Sequence, residues 1–152
     1  MKFATLSITA AIVLGAAAPA MAASYAIDPS HTYATFEIDH MGTSTNRARF
    51  DKKEGTVEFD RAAKTGKVDI SLDMSSVNSG FANFNKHLQS KDIFDAEQFP
   101  KARFVSDKFV FDGDKVTEVQ GQLTLKGKTA PVTFKANKFN CYPSPMLQKR
   151  EV

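Results

Sequence analysis

Three histidines and a short run of acids are the side chains in this sequence that could do acid–base chemistry. His31, His40 and His87 are the only histidines, and Asp92, Asp95 and Glu97 follow the last of them. Two of those carboxylates would make a general acid–base pair if burial split their pKa values. The simpler reading, with Asp95 capping a turn and the others solvated, is favoured. No two histidines have the i, i+4 helical spacing of a metal pair. On one uninterrupted strand His31 and His40, nine residues apart, would point to opposite faces. The sequence holds no G-x-S-x-G, no Gly-rich phosphate loop and no C-x-x-C pair. Cys141, the single cysteine, lies in a Pro-rich tail with no histidine near it in sequence to serve as a base. No catalytic set, no metal ligand and no cofactor is expected.

The segments around these residues are mostly strands. Residues 67–74 alternate strictly, with Val68, Ile70, Leu72 and Met74 on one face and Lys67, Asp69, Ser71 and Asp73 on the other. Ala34, Phe36 and Ile38 alternate with acids and Thr35, and His40 continues their parity. An imidazole there is a hydrogen-bonded core residue or, in a hollow barrel, a contact for a ligand's polar head. Val57 and Phe59, then Phe104, Phe109 and Phe111, then Leu123, Leu125, Val132 and Phe134, mark further strands. Turn signals fall at residues 64–66, 112–114 and 127–129. Many short strands with one apolar face predict an all-β, antiparallel sandwich or closed barrel.

Residues 79–99 break the pattern. Phe81, Phe84 and Leu88 follow helical i, i+3, i+7 spacing, with Ser79 as the expected N-cap. Asp95 is expected to cap a second turn over residues 96–98, which Pro100 ends. This predicts a helix and a turn whose phenylalanines face inward and whose charges face water.

The N-terminus reads as a leader rather than as part of the fold. A basic start precedes an apolar run over residues 3–18, and Ala20-Met21-Ala22 supplies small residues for cleavage. The run is shorter than the ~20 residues a spanning helix needs. Residues 1–22 are therefore expected to be a signal peptide, residues 23–152 one exported domain, and no transmembrane segment to follow. The formal net charge is +3, and basic residues alternate with acids, so no nucleic-acid footprint is present. A leftover cysteine in an oxidising compartment leaves three readings: an intermolecular bond, hence a homodimer, a free thiol, or a partner that is missing.

Three blocks of the sequence resemble the YceI-like family. The first joins Tyr25-Ala26-Ile27-Asp28-Pro29-Ser30-His31 to Phe36, His40-Met41-Gly42-Thr43-Ser44 and Arg49-Phe50. The second and more specific is His87-Leu88-Gln89-Ser90-Lys91-Asp92-Ile93-Phe94-Asp95, with Pro100 and Phe104 after it. The third runs over residues 123–133. The resemblance implies a lipocalin-like antiparallel β-barrel with a short helical insertion, exported to the periplasm. It also implies binding of a long polyisoprenoid, an isoprenoid quinone or another amphiphilic lipid, without catalysis. Ala48 stands where the family often has glycine. The family continues for two further strands past the position of Val152, so this chain is expected to lack its last strands.

Under this reading Phe36, Ile38, Val57, Phe59, Val68 and Ile70 line the lumen, with Leu72, Phe104, Leu123, Leu125 and Phe134. Phe81, Phe84, Leu88 and Phe94 form a cover, and His40 meets the ligand's polar end. Two other readings remain: an enzyme acting on the bound lipid through His40 or His87, and a ligand-free stress or interaction module with a solid core.

Overall fold

The computed structural model describes residues 22–148 and 150–152, so the expected signal peptide, but for Ala22, lies outside the described residues. The described residues form nine strands and one α-helix. In chain order they are β1 (Ala23–Ala26), β2 (Ala34–His40), β3 (Ser44–Phe50), β4 (Lys53–Asp60) and β5 (Thr65–Asp73). Then come β6 (Val77–Asn78), α1 (Ala82–Gln89), β7 (Lys101–Asp112), β8 (Lys115–Leu125) and β9 (Lys128–Lys135). Among them β1, β3 and β6 had no alternation to announce them. Every pairing is antiparallel. The larger sheet has the order β1-β4-β5-β7-β8-β9 and the smaller one β2-β3-β6. The fold is thus an all-β, antiparallel barrel-like arrangement. Among the described residues no ladder joins its two sheets, and β9 ends the larger one.

The hairpins account for this order. The pairs β2–β3, β4–β5, β7–β8 and β8–β9 are sequential and joined by short turns, whereas β5 reaches β7 across residues 74–100, which carry β6 and α1. Between β8 and β9 the turn is Lys126-Gly127, with φ of 48° and 71°. Positive φ at both positions is what a two-residue type I′ hairpin demands. The turn expected at residues 127–129 thus lies one residue earlier, and that expected at 64–66 ends at Lys64, just before β5 begins at Thr65.

Phe104 and Phe109 have opposite parity yet share a face, because the register between β7 and β8 slips between Val105 and Lys108. A bulge adds one residue to one strand and restores the apolar side. Ser106 fills it: its buried hydroxyl donates to the Gln120 carbonyl at 2.7 Å and accepts from the Lys108 N–H at 3.1 Å. Opposite, Gly121 lies against the Phe104 ring and the Val105 carbonyl. A Cβ there would come within 2.4 Å of that oxygen.

The core sits where the smaller sheet meets one end of the larger. Ala48, Phe50, Met74, Val77, Leu88 and Ala102 are its buried members, and Met74 is only 1% exposed. Phe36, Leu72, Phe84, Phe94 and Leu125 pack against them. So α1 and the segment after it close this end, with Leu88 as the buried anchor.

Two helix details differ from expectation. Phe81, not Ser79, occupies the N-cap position of α1, with extended backbone and no side-chain cap bond. Ser79 instead donates its hydroxyl to Asn85 Oδ1 at 2.7 Å. Helix geometry therefore starts too late to carry Phe81 inward, and its ring is 64% exposed. Asp95 precedes the expected turn, but it is buried rather than solvated. Its backbone is left-handed at φ 51°, its N–H donates to the Ser90 carbonyl and its own carbonyl accepts from Phe99.

Candidate functional site: an apolar sheet face and a polar cleft

Register assembles most of the expected lining on one side of the larger sheet. Val57 pairs with Val68, and Phe59 with Gly66. Ile70 pairs with Phe104, which pairs with Leu123. Two residues on, Leu72 faces Ala102, beside Leu125. Phe134, opposite Val119, meets Phe104 edge to face at a centroid distance of 4.8 Å. Directly paired side chains stand close enough to form a continuous surface.

That surface is not uniformly filled. Val57, Ile70, Leu72, Leu123 and Leu125 are half-buried, and Phe134 is 51% exposed. At the other end from the core cluster, Phe59 stacks with Phe109 and Phe111, and Phe139 meets it edge on at 5.2 Å. The alternation alone did not add Phe109, Phe111 and Phe139 to the lining. The parity break between Phe104 and Phe109 was the available signal for the first two.

Phe36 and Phe94 do come together. With Phe50 they form an aromatic triad at centroid distances of 5.6 to 5.8 Å. Such contacts contribute about 0.5–1.5 kcal/mol each beyond burial. Ile38 shares the face of Phe36 but lies beyond this packing and is 54% exposed. Its direction follows the expectation; its burial does not.

His40 ends β2 on the same face, at an open cleft of about 760 Å³ between the β2–β3 hairpin and α1. The cleft brings His40 together with His87, Phe81 and Phe84. Asn46, Arg47, Ser79 and Asn83 also line it, and the spacing of histidines gave no hint of them. Phe84 links the cleft to the core cluster, since it packs against both.

The polar groups elsewhere organise turns and the outer face. Ser30, His31 and Asp28 lie together: His31 Nδ1 is 2.7 Å from Asp28 Oδ2 and 3.1 Å from Ser30 Oγ. A relay triad needs the imidazole to meet its carboxylate on one nitrogen and its serine on the other. Here a single nitrogen faces both, so the trio caps a turn. Bonds from Ser30 and then His31 hold the Asp28 carboxyl well below the usual range.

On the outer face Arg103 donates from Nε to Asp69 at 2.8 Å and Lys101 donates to Glu54 at 2.7 Å. The Arg103 bond lowers the pKa of Asp69. Near the chain's end Tyr25 donates to Glu151 at 3.1 Å, and burial, followed by that carboxylate, raises the pKa of its phenol. Cys141 lies beside Arg61, whose pKa it raises. Among the described residues no three His, Cys, Asp or Glu side chains are grouped to hold a metal.

Sequence comparison follows the same outline. Residues 25–148 match the YceI-like domain. The chain is 38% identical over 134 residues to a UPF0312 protein of Pseudomonas savastanoi pv. phaseolicola, covering 84% of this chain and 70% of that protein. It is 35% identical over 153 residues to Protein YceI of Escherichia coli O157:H7, covering 99% and 80% respectively. In structure it is similar to BcnA of Burkholderia cenocepacia, with a TM-score of 0.63 and 29% identity over 70% of this chain and 67% of the other. The antiparallel strands, the aromatic cover and the matched residues agree: this chain belongs to the YceI-like family.

Proposed function

We propose that the chain is an exported protein that binds a long amphiphilic lipid, a polyisoprenoid or an isoprenoid quinone, for carriage or sequestration in the periplasm. One observation carries this reading. The larger sheet gathers Val57, Ile70, Phe104, Leu123 and Phe134 on one face, and several of these side chains are only partly covered. A solid core would cover them all.

The dimensions suit a chain-like ligand. An eight-residue strand runs about 27 Å at ~3.4 Å per residue, enough for several prenyl units in line. Burial contributes ~0.8 kcal/mol per methylene-sized group, and ordering and translational losses offset part of it. The phenylalanines that flank the face give it a flat, polarizable wall.

Binding rather than turnover is favoured by the cleft that holds both histidines. Its wall contains no carboxylate among the described residues, so neither histidine has there the acidic partner an acid–base mechanism would use.

Organic extraction of protein purified gently from the periplasm, followed by mass spectrometry, tests the reading. A co-purifying prenyl lipid is expected, together with a mature N-terminus at Ala23. An empty extract from protein that also fails to take up added prenyl lipid would favour the solid-core reading.

A further inference from the structure

One edge of β3 is left open by the strand that begins to cover it. β6 pairs only with Arg49 and Phe50, and the chain then turns out of the sheet at Gly80, whose φ is 83°. Continued in register, Gly80 would lie opposite Arg47. Its N–H donates instead to Asn78 Oδ1 at 2.9 Å, and Ser79 turns its N–H and hydroxyl to Asn85. Antiparallel strands turn the backbone groups of alternate residues to alternate sides. The Asp51 N–H donates to the Ser76 carbonyl on the β6 side, so Arg49, Arg47 and Thr45 turn their N–H and C=O groups to that side too. Those of Arg47 and Thr45 have no protein partner among the described residues. Neither a proline nor a bulge blunts β3 there.

We infer that this edge takes up one extended polypeptide segment as an added strand, running on from β6 between β3 and α1. Donors and acceptors recur along it at the two-residue strand repeat, about 7 Å, and an extended backbone matches them group for group. A prenyl or acyl chain has nothing to pair with them. The space lies in the right place. The cleft of about 760 Å³ borders Thr45, Asn46 and Arg47, and an adjoining groove of about 500 Å³ borders Arg47, Ala48 and Arg49. Because α1 forms the far wall of the cleft, a single strand fits where the sheet of a second copy would collide. Directly paired side chains share a face. The partner residue opposite Asn46 therefore stands beside Phe84 in the cleft and is expected to be apolar. Its neighbours opposite Thr45 and Arg47 are expected to be polar, like those two exposed residues. The inference does not rest on the lipid-binding reading, and either can fail alone.

The test is hydrogen exchange, read by NMR, on the purified chain with a short capped peptide that alternates threonine with valine. A terminal lysine keeps the peptide soluble. One twin peptide carries N-methyl groups on its threonines, which bond to β3 in this register, and another carries them on its valines, which do not. The unmodified peptide is expected to slow exchange at the Thr45 and Arg47 amides at least about tenfold at saturation. The valine-methylated twin should do the same, and the threonine-methylated twin should lose the effect. No protection of these amides at about 1 mM peptide would overturn the inference. So would equal action of the two twins, since binding would then owe nothing to the backbone ladder, or protection that falls on β9 instead. Slow exchange at Thr45 and Arg47 in the free chain, together with a dimer in sedimentation, would put a second copy on this edge and overturn it as well.

Discussion

The two ends of the apolar interior are built from the same residue types and finished differently. Under α1, Phe36, Phe50 and Phe94 interlock over Met74, Leu88 and Ala102, and little of this end is left accessible. Along the larger sheet Phe104, Leu123 and Phe134 form an equally apolar row that stays partly uncovered. Residue type does not separate the two; the presence of a second layer does. The helix and the smaller sheet supply that layer at one end only. Stability should therefore concentrate under α1 and ligand affinity along the open row.

The sharpest break of this contrast is Phe50→Ala. Phe50 is buried and touches both other rings of the triad. Its loss leaves a cavity that the β3 backbone cannot collapse into, and about 3–5 kcal/mol of stability should go with it. Urea unfolding followed by circular dichroism measures this. A loss under about 1 kcal/mol would mean that the packed end is not the stabilising one.

Next in size is Lys126→Met, which cuts the tie between the two regions. From the β8–β9 turn, Lys126 Nζ donates to the Lys91 carbonyl at 2.6 Å and to that of Ile93 at 3.0 Å. Hydrogen bonds from a charged group contribute about 1.5–3 kcal/mol when shielded; in this partly exposed setting we expect about 1–2 kcal/mol. Hydrogen exchange should quicken at residues 91–96 and remain unchanged within β4. Uniform quickening would show that the two regions unfold as one unit.

Phe134→Ala probes the open row directly. Half of the ring already meets solvent, so its loss should cost only about 1 kcal/mol. Affinity for a prenyl lipid, measured by displacement of a fluorescent fatty acid, should fall at least about fivefold, or near 1 kcal/mol. An unchanged affinity would move the ligand away from β9.

The contrast was only partly legible in the sequence. Alternation assigned the faces well: Val57, Val68, Ile70, Leu72, Phe104, Leu123 and Leu125 all share one side of the larger sheet. A period of two fixes which way a side chain points, but not whether anything lies above it. That is why Ile38 and Phe134 have the expected direction and yet half of each is exposed. The cover was harder to read. The i, i+3, i+7 spacing counted Phe81 with Phe84 and Leu88, but Ser79 bonds to Asn85 and the helix begins after Phe81. Asn46 and Asn83 reach the histidine cleft only because a hairpin end and a helix face each other. That juxtaposition has no local signature.

The smallest expected effect is on the acid limb of stability, and it too should differ between the regions. Asp73 sits at the packed end, where its Oδ1 accepts from the Ser75 N–H at 2.9 Å and the Ser75 hydroxyl at 2.6 Å, capping the turn over Met74–Ser76. Those bonds lower its pKa. Asp69 lies on the outer face of the larger sheet, its pKa lowered by the exposed Arg103. A carboxyl whose folded pKa is depressed adds stability above the unfolded value, near 3.9, and loses it as pH falls through the folded one. Both aspartates therefore weaken the fold below about pH 4. Solvent screens the Asp69 pair, whereas the Asp73 bonds are short and local. Denaturation midpoints measured from pH 6 down to pH 2.5 should fall less steeply for Asp73→Asn than for the native chain. Asp69→Asn should follow the native curve more closely. The reverse order would mean that the outer ion pair, rather than the capped turn beneath the core, governs acid sensitivity.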